Sequence, residues 1–463
     1  MEIDFCGGGY NTFSPIVNAS ECVNFIPIID KAGSKVLRGS PGLKEWCDTG
    51  KYAEVRGAHK MGSYKYSVVG NAVYRVSESA VSTACTGTLG TSSGSVSMAD
   101  NGGELMIVDG QKGYIVEGTT VTEITDEGFF NNPISVTYQD GYFLCTFQGS
   151  GRIQVGDLND GTSWDATMYF NAEAKPDDSL CVISNHRVLT VLGSETLESW
   201  YNSGDTVPFD RIPGTTQEVG TGAKDSPAVI DNTIFFLTNH LQVCRIEGNN
   251  PKIVSKKSIE YQFAQYSKTS DAIGMGVVIE GLAIYVLTFP TANETWAYNI
   301  PDDEWFQLKS YPSPYQNRWR GNCYCHFADK HIIGDYQNGK LYEWDFKTYT
   351  DDSKIIRRTR IAPQIWDAGK KIFHHGLEVF FEPGTGLDGG VQGEDPQAML
   401  RWLDNGKTWS NEHWRDIGKI GKYKTRVKWA RLGGSRMRNY ELTVTDPVKC
   451  VITGANLRAS IGT

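Results

Sequence analysis

Three local groups in this 463-residue sequence place reactive side-chain types close together. Asp302, Asp303 and Glu304 in "NIPDDEWFQL" form the densest carboxylate group. Hydrolysis of a glycosidic bond needs a carboxylate pair that flanks it, one as acid and one as base or nucleophile. The group sits between strand-like "WAYNI" and "WFQL", so it reads as the tip of a hairpin. Cys323, Cys325, His326 and His331 in "GNCYCHFADKH" carry metal-ligand atoms. Strand alternation puts both thiols on one face and His326 on the other. The second C-x₂₋₄-C pair of a zinc site is missing, so a core strand is the better reading. The glycine-rich "CGGGY" and "GTGLDGG" lack both phosphate-loop spacing and a following helix, and no G-x-S-x-G elbow occurs. Nothing here calls for a nucleophile, a metal or a cofactor.

A fourth group is not catalytic in type. In "IGKYKTRVKWARLGGSRMR", Lys422, Lys424, Arg426 and Lys428 alternate with Tyr423, Thr425, Val427 and Trp429. A strand with period two would carry all four cations on one face and the apolar set on the other. Arg431, Arg436 and Arg438 follow. Such a stripe suits phosphate backbones bound without base reading, or an acidic protein surface, or plain solvent. Just upstream, "RWLDNGKTWS" holds Asp404, Gly406, Thr408 and Trp409 in the spacing D-x-G-x-T-W. It resembles the Asp-box of sialidases and other carbohydrate-active β-propellers. Trp402 stands where that motif has Ser, and the motif occurs once. The arginines and the Tyr–Glu pair that sialidases draw from several blades have no counterpart here. The expected role is local: Asp404 accepts backbone N–H groups across the turn, Gly406 supplies a positive φ, and Trp409 anchors the returning strand in the core. A carbohydrate-binding or hydrolysing propeller is the alternative function.

These residues need elements to hold them. Hydrophobic residues make up 40% and charged residues 21%, which places the chain among globular proteins. The 50 glycines follow no collagen-like period and read as turn residues of an all-β fold. Apolar hairpins recur at 64–76, 104–116, 141–155, 186–200, 232–246, 282–298 and 330–344. A spacing of roughly 40–50 residues is that of four-stranded propeller blades. The expected architecture is therefore all-β: a β-propeller of six or seven blades over 52–350, with the apolar strands lining the channel. An extended N-terminal arm over 1–51, rich in Pro, Ser and Asn, precedes it, and a C-terminal β-sandwich over 351–463 follows. The opening residues show no signal-peptide pattern. Ten scattered cysteines, several inside apolar runs, read as buried free thiols made in a reducing cytoplasm. Net charge is -9, but from Arg357 onward 18 basic residues face 11 acidic ones, so the remainder is strongly acidic. This asymmetry predicts two domains with different neighbours.

Three stretches in order resemble one family. They are "NTFSPIVNASECVNFIPIIDKAGSK…SPGL", "VLGSETLESWYNSG" (191–204) and "LRWLDNGKTWSNEHW…GKYKTRVKWARLGGSR". Together they resemble tail-hub or nozzle proteins of short-tailed bacteriophages, also called packaged DNA stabilization proteins or tail accessory factors. The resemblance implies a structural virion protein of the tail, without enzyme activity or cofactor, assembled in the bacterial host cytoplasm. It implies a homohexameric ring beneath the portal and its adaptor, or head-to-tail connector protein. That ring would extend the portal channel and close it after packaging. It would dock tail needle, fibre or spike proteins, and meet packaged double-stranded DNA without sequence specificity and without a membrane. The Lys422/Lys424/Arg426/Lys428 face would then contact either a neighbouring acidic subunit or the DNA path.

Overall fold

The computed structural model describes residues 3–9, 20–29, 33–172, 175–311, 317–404, 406 and 408–462. Seven four-stranded antiparallel units follow one another along the chain. Blades 1 to 6 span 55–88, 97–123, 133–171, 179–211, 228–253 and 273–307. Blade 7 takes three strands from 321–345 and its fourth, Gly42–Asp48, from near the N-terminus. The propeller thus has seven blades, and each of the seven apolar hairpins is the central hairpin of one blade.

One detail differs from the sequence expectation. The most apolar strands are second in their blades, not the ones that line the axis. Leu282–Phe289, for example, is buried along its whole length, whereas its channel-side neighbour Ile273–Ile279 is buried at only three of seven positions. The second strand lies between two blade faces and packs on both sides, which selects continuous apolar character. The turns that join these strands have a common form. Asp140–Gly141, His186–Arg187, Asp231–Asn232, Glu280–Gly281 and Ala328–Asp329 all have positive φ at both positions, the conformation that matches the right-handed twist of the flanking strands.

The sandwich has two sheets. One contains Phe25–Ile29, Lys35–Gly39, Val451–Ile461, Ile372–Phe381 and Val427–Ala430; the other contains Glu21–Val23, Arg358–Ile361, Met437–Val444 and Gln397–Asp404. The segment expected as an extended arm is therefore, where described, four strands: three are built into the sandwich and one closes the propeller. Val23 also pairs with Gln307 of blade 6. The two domains share one hydrophobic cluster, which runs from Ile284 and Phe306 of blade 6 through Trp344 of blade 7 to Leu377, Trp429 and Leu442 of the sandwich.

Arg360, fully buried, ties the N-terminal segment into this seam. Its guanidinium donates to the carbonyls of Phe5 (2.7 Å) and Gly8 (3.0 Å) and to Ser20 Oγ (2.9 Å). The glycines of "CGGGY" are needed here for space. A Cβ at Gly8 would lie 2.4 Å from Glu304 Oε2, and one at Gly9 would lie 2.8 Å from the Cys22 nitrogen.

Candidate functional site

The cationic segment is shorter as a strand than its alternation suggests. Only Val427–Ala430 is extended. Positive φ at Gly421 and a turn at Tyr423 and Lys424 lift the preceding residues out of the sheet. Val427 and Trp429 face the core and Lys428 faces outward, as strand period requires, but Tyr423 is 69% exposed. Lys422, Lys424, Arg426 and Lys428 therefore do not form one strand face. Lys422 and Lys424 sit on an exposed loop, and its Tyr423 ring packs beside Gly384. Arg426 makes a two-pronged ion pair with Glu378, at 2.6 and 2.7 Å. The Arg426 hydrogen bonds hold the Glu378 carboxyl below the usual carboxylate range. Of the four cations, Arg426 is thus already neutralised within its own sheet.

The Asp-box-like hairpin holds the other surprise. Gly406 has the positive φ expected of it, and Leu403 and Asp404 pair with Trp409 and Thr408. Asp404, however, turns to Arg438, which donates to both its carboxylate oxygens at 2.7 and 2.8 Å. Arg438 is buried, so its charge needs a fixed counter-ion. Trp409 does not reach the core either: it is half-buried, with the Arg401 guanidinium 4.5 Å from its ring. The hairpin is structural, through a salt bridge and a cation–π contact.

The remaining candidates resolve as packing. Cys323 and Cys325 lie on the inner strand of blade 7 and point into the seam with blade 1. His326 and His331 form a cross-strand pair, and Tyr324 Oη lies 3.0 Å from His331 Nδ1. No group of three or more metal-ligating side chains occurs among the described residues. All ten cysteines are free, and nine are buried. Burial pushes the Cys323 thiol up to about 11 and the Cys22 thiol up to about 12, so neither is a thiolate near neutral pH. Asp302 and Asp303 cap their own turn, through Asn299 Nδ2 and Tyr298 Oη respectively, while Glu304 pairs with Lys256.

The propeller axis encloses a cavity of about 610 Å³, lined by the inner strands of all seven blades. A contact crosses one mouth of it. Ser95, at the start of blade 2, donates to Asp225 Oδ2 (2.5 Å) at the start of blade 5, and Lys224 Nζ reaches both Ser95 (3.2 Å) and Asp225 (2.8 Å). The loop that carries Ser95 is held by Arg56, which donates to the carbonyls of Gly94 and Thr91, and by Glu54, which accepts from the Gly94 amide. Blades 2 and 5 lie on opposite sides of a seven-blade ring, so this contact is a brace across the axis. No sequence signal marks Ser95, Lys224 or Asp225.

Residues 13–349 match the family model described as "Bacteriophage P22 Gp10, beta-propeller", and residues 357–460 match the one described as "Bacteriophage P22 Gp10, beta-sandwich". No curated protein matches the sequence. Among solved structures, the extracellular domain of BT4673 from B. thetaiotaomicron aligns at 11% identity and a TM-score of 0.42. That alignment covers 88% of this chain, which spans 58% of that one. BamB from Moraxella catarrhalis aligns at 9% identity and a TM-score of 0.39, over 70% of this chain and 94% of its own. The computationally designed protein Ika8 aligns at 8% identity and a TM-score of 0.38, over 65% of this chain and 99% of its own.

Proposed function

From the premise that this chain belongs to the bacteriophage P22 Gp10 family, and so is a structural protein of a phage tail, we propose that it forms a ring that extends the portal channel. The ring closes that channel after DNA packaging and gives the tail needle, fibres or spikes their docking sites. It assembles in the host cytoplasm as a homohexamer on the portal adaptor, and its role is mechanical, not catalytic. The observation that carries this reading is the ordered match of both domains over 13–349 and 357–460. The uneven charge supports it, because a closed head-to-tail ring needs two different, complementary patches on each subunit.

Electron microscopy of the purified chain, alone and added to portal–adaptor complexes, tests the proposal. A sixfold ring is expected beneath the adaptor. A chain that stays monomeric in both settings, or one that cleaves glycans, would overturn it.

A further inference from the structure

The chain's charge is concentrated at two sites far apart in the fold. Positions 97–211, which make up blades 2 to 4, hold 18 acidic and only 5 basic residues. The sandwich attaches through blades 6 and 7, so blades 2 to 4 lie across the propeller from it. Glu117, Glu127, Asp205 and Asp210 in this acidic sector are exposed and make no ion pair among the described residues.

The cations that are free lie at the opposite end of the Val427–Ala430 strand from the Lys422 loop. Lys370, Lys371, Arg431 and Arg436 are all exposed there, and none has an ion-pair partner among the described residues. Arg431 keeps a φ of 59° while its amide donates to the His375 carbonyl, and the Arg436 guanidinium donates to the Gly369 carbonyl. These bonds fix the loops that present the charges.

Exposed apolar side chains neighbour these cations: Ile461 pairs with Ile372, next to Lys371, and Trp366 pairs with Met437, next to Arg436. Trp366 is 62% exposed, Phe373 41% and Ile461 58%. Phe373 pairs with Gly434. Gly434 and Gly462 lie close to the Phe373 ring, where a Cβ at either would stand 3.0–3.1 Å from it. Lys371 Nζ lies 5.3 Å from the ring centroid. An open groove of about 570 Å³ runs beside it, lined by Lys371, Phe373, His375, Arg431 and Ser460.

We propose that this aromatic–basic tip of the sandwich is the docking surface for blades 2 to 4 of a second copy of the chain. The inference rests on the ring reading above and names its contact. Exposed aromatic side chains among arginines are the composition of a protein interface core. Phosphate contacts alone would leave Trp366, Phe373 and Ile461 without a partner, which favours a protein surface over duplex DNA. The complementary acid is present on the same chain, at the far side, as head-to-tail closure demands.

The test is a charge swap read by sedimentation velocity. One variant carries Lys370→Glu, Lys371→Glu, Arg431→Glu and Arg436→Glu. A second carries Glu117→Lys, Glu127→Lys, Asp205→Lys and Asp210→Lys. All eight positions are exposed, and a melting curve confirms that each variant folds. Each alone is expected to self-associate at least tenfold more weakly than the wild type, and an equimolar mixture is expected to restore assembly. A Lys422→Glu/Lys424→Glu control should assemble like the wild type. The proposal is overturned if the first variant assembles normally, if the mixture does not recover, or if the control falls equally. If the first variant assembles but loses binding to duplex DNA, the tip is a DNA contact instead. A wild-type chain that never assembles, alone or on the adaptor, would sink the ring reading itself.

Discussion

Arg438 follows Arg431 and Arg436 in sequence, yet it points inward while they point outward. What separates them is a counter-ion 34 positions away: Asp404 meets Arg438 inside the sandwich, and nothing equivalent meets the others among the described residues. The D-x-G-x-T-W spacing made Asp404 visible as a turn residue, but its partner belongs to another strand and leaves no local trace. Removing one member of a buried pair strands the other charge. Because the Asp404 side chain is 34% exposed, the loss should fall at the low end for such pairs. Asp404→Ala is expected to cost about 3 kcal/mol, read as a lower urea midpoint at an unchanged slope. His374, nearby, is 2% exposed and contacts Tyr440 Oη and Ser435 Oγ. Burial and then the Arg438 charge depress its pKa to about 4. The unfolded chain, with an ordinary histidine, binds the proton first. Stability is therefore full above about pH 6.5 and falls as pH drops toward 4, by roughly 3 kcal/mol in all. Melting curves between these pH values should show that loss in the wild type and a flatter profile in His374→Gln.

At the scale of elements, the blades could be read from the sequence and the first fifty residues could not. An apolar strand, a tight turn and a second strand are a local pattern, and repetition of that pattern every blade makes it hard to miss. Phe25–Ile29 pairs locally with Lys35–Gly39, but the other strands between 21 and 48 have partners hundreds of positions away, so their short apolar pieces looked like an arm. The cationic alternation misled for a related reason: period two continues through 422–426, but positive φ at Gly421 and the turn after it break the strand. The closing strand Gly42–Asp48 offers a direct check. Leu43 is 1% exposed and pairs with Trp344, the ring of which packs in the shared cluster. Leu43→Asp buries a charge with no partner and detaches this strand. It is expected to cost at least about 3 kcal/mol, and hydrogen exchange should rise first in the amides of 340–345.

At the scale of the whole molecule, charge and shape point the same way. The acidic sector lies across the propeller from the sandwich that carries the basic tip. A contact between exposed charges of this kind is screened once the ionic strength shortens the Debye length from about 10 Å to a few ångströms. The proposed self-association should therefore weaken by about tenfold or more between roughly 0.1 and 1 M NaCl, whereas a contact carried by apolar area alone would hold or tighten. Sedimentation across that series distinguishes the two.

The closing strand also sets an order of events. The Pro41 carbonyl accepts a hydrogen bond from Trp344, 303 positions later, and Lys35–Gly39 waits for Val451–Ile461. During synthesis, Gly42–Asp48 emerges early and has nothing to close until Lys340–Asp345 has been made, and Lys35–Gly39 waits longer still for its sandwich partner. Translation arrested near residue 440 should thus leave Lys35–Gly39 protease-sensitive while Gly42–Asp48 is already protected in blade 7. The propeller can therefore close before the sandwich does. A fragment released early would lack a finished sandwich to offer a neighbour.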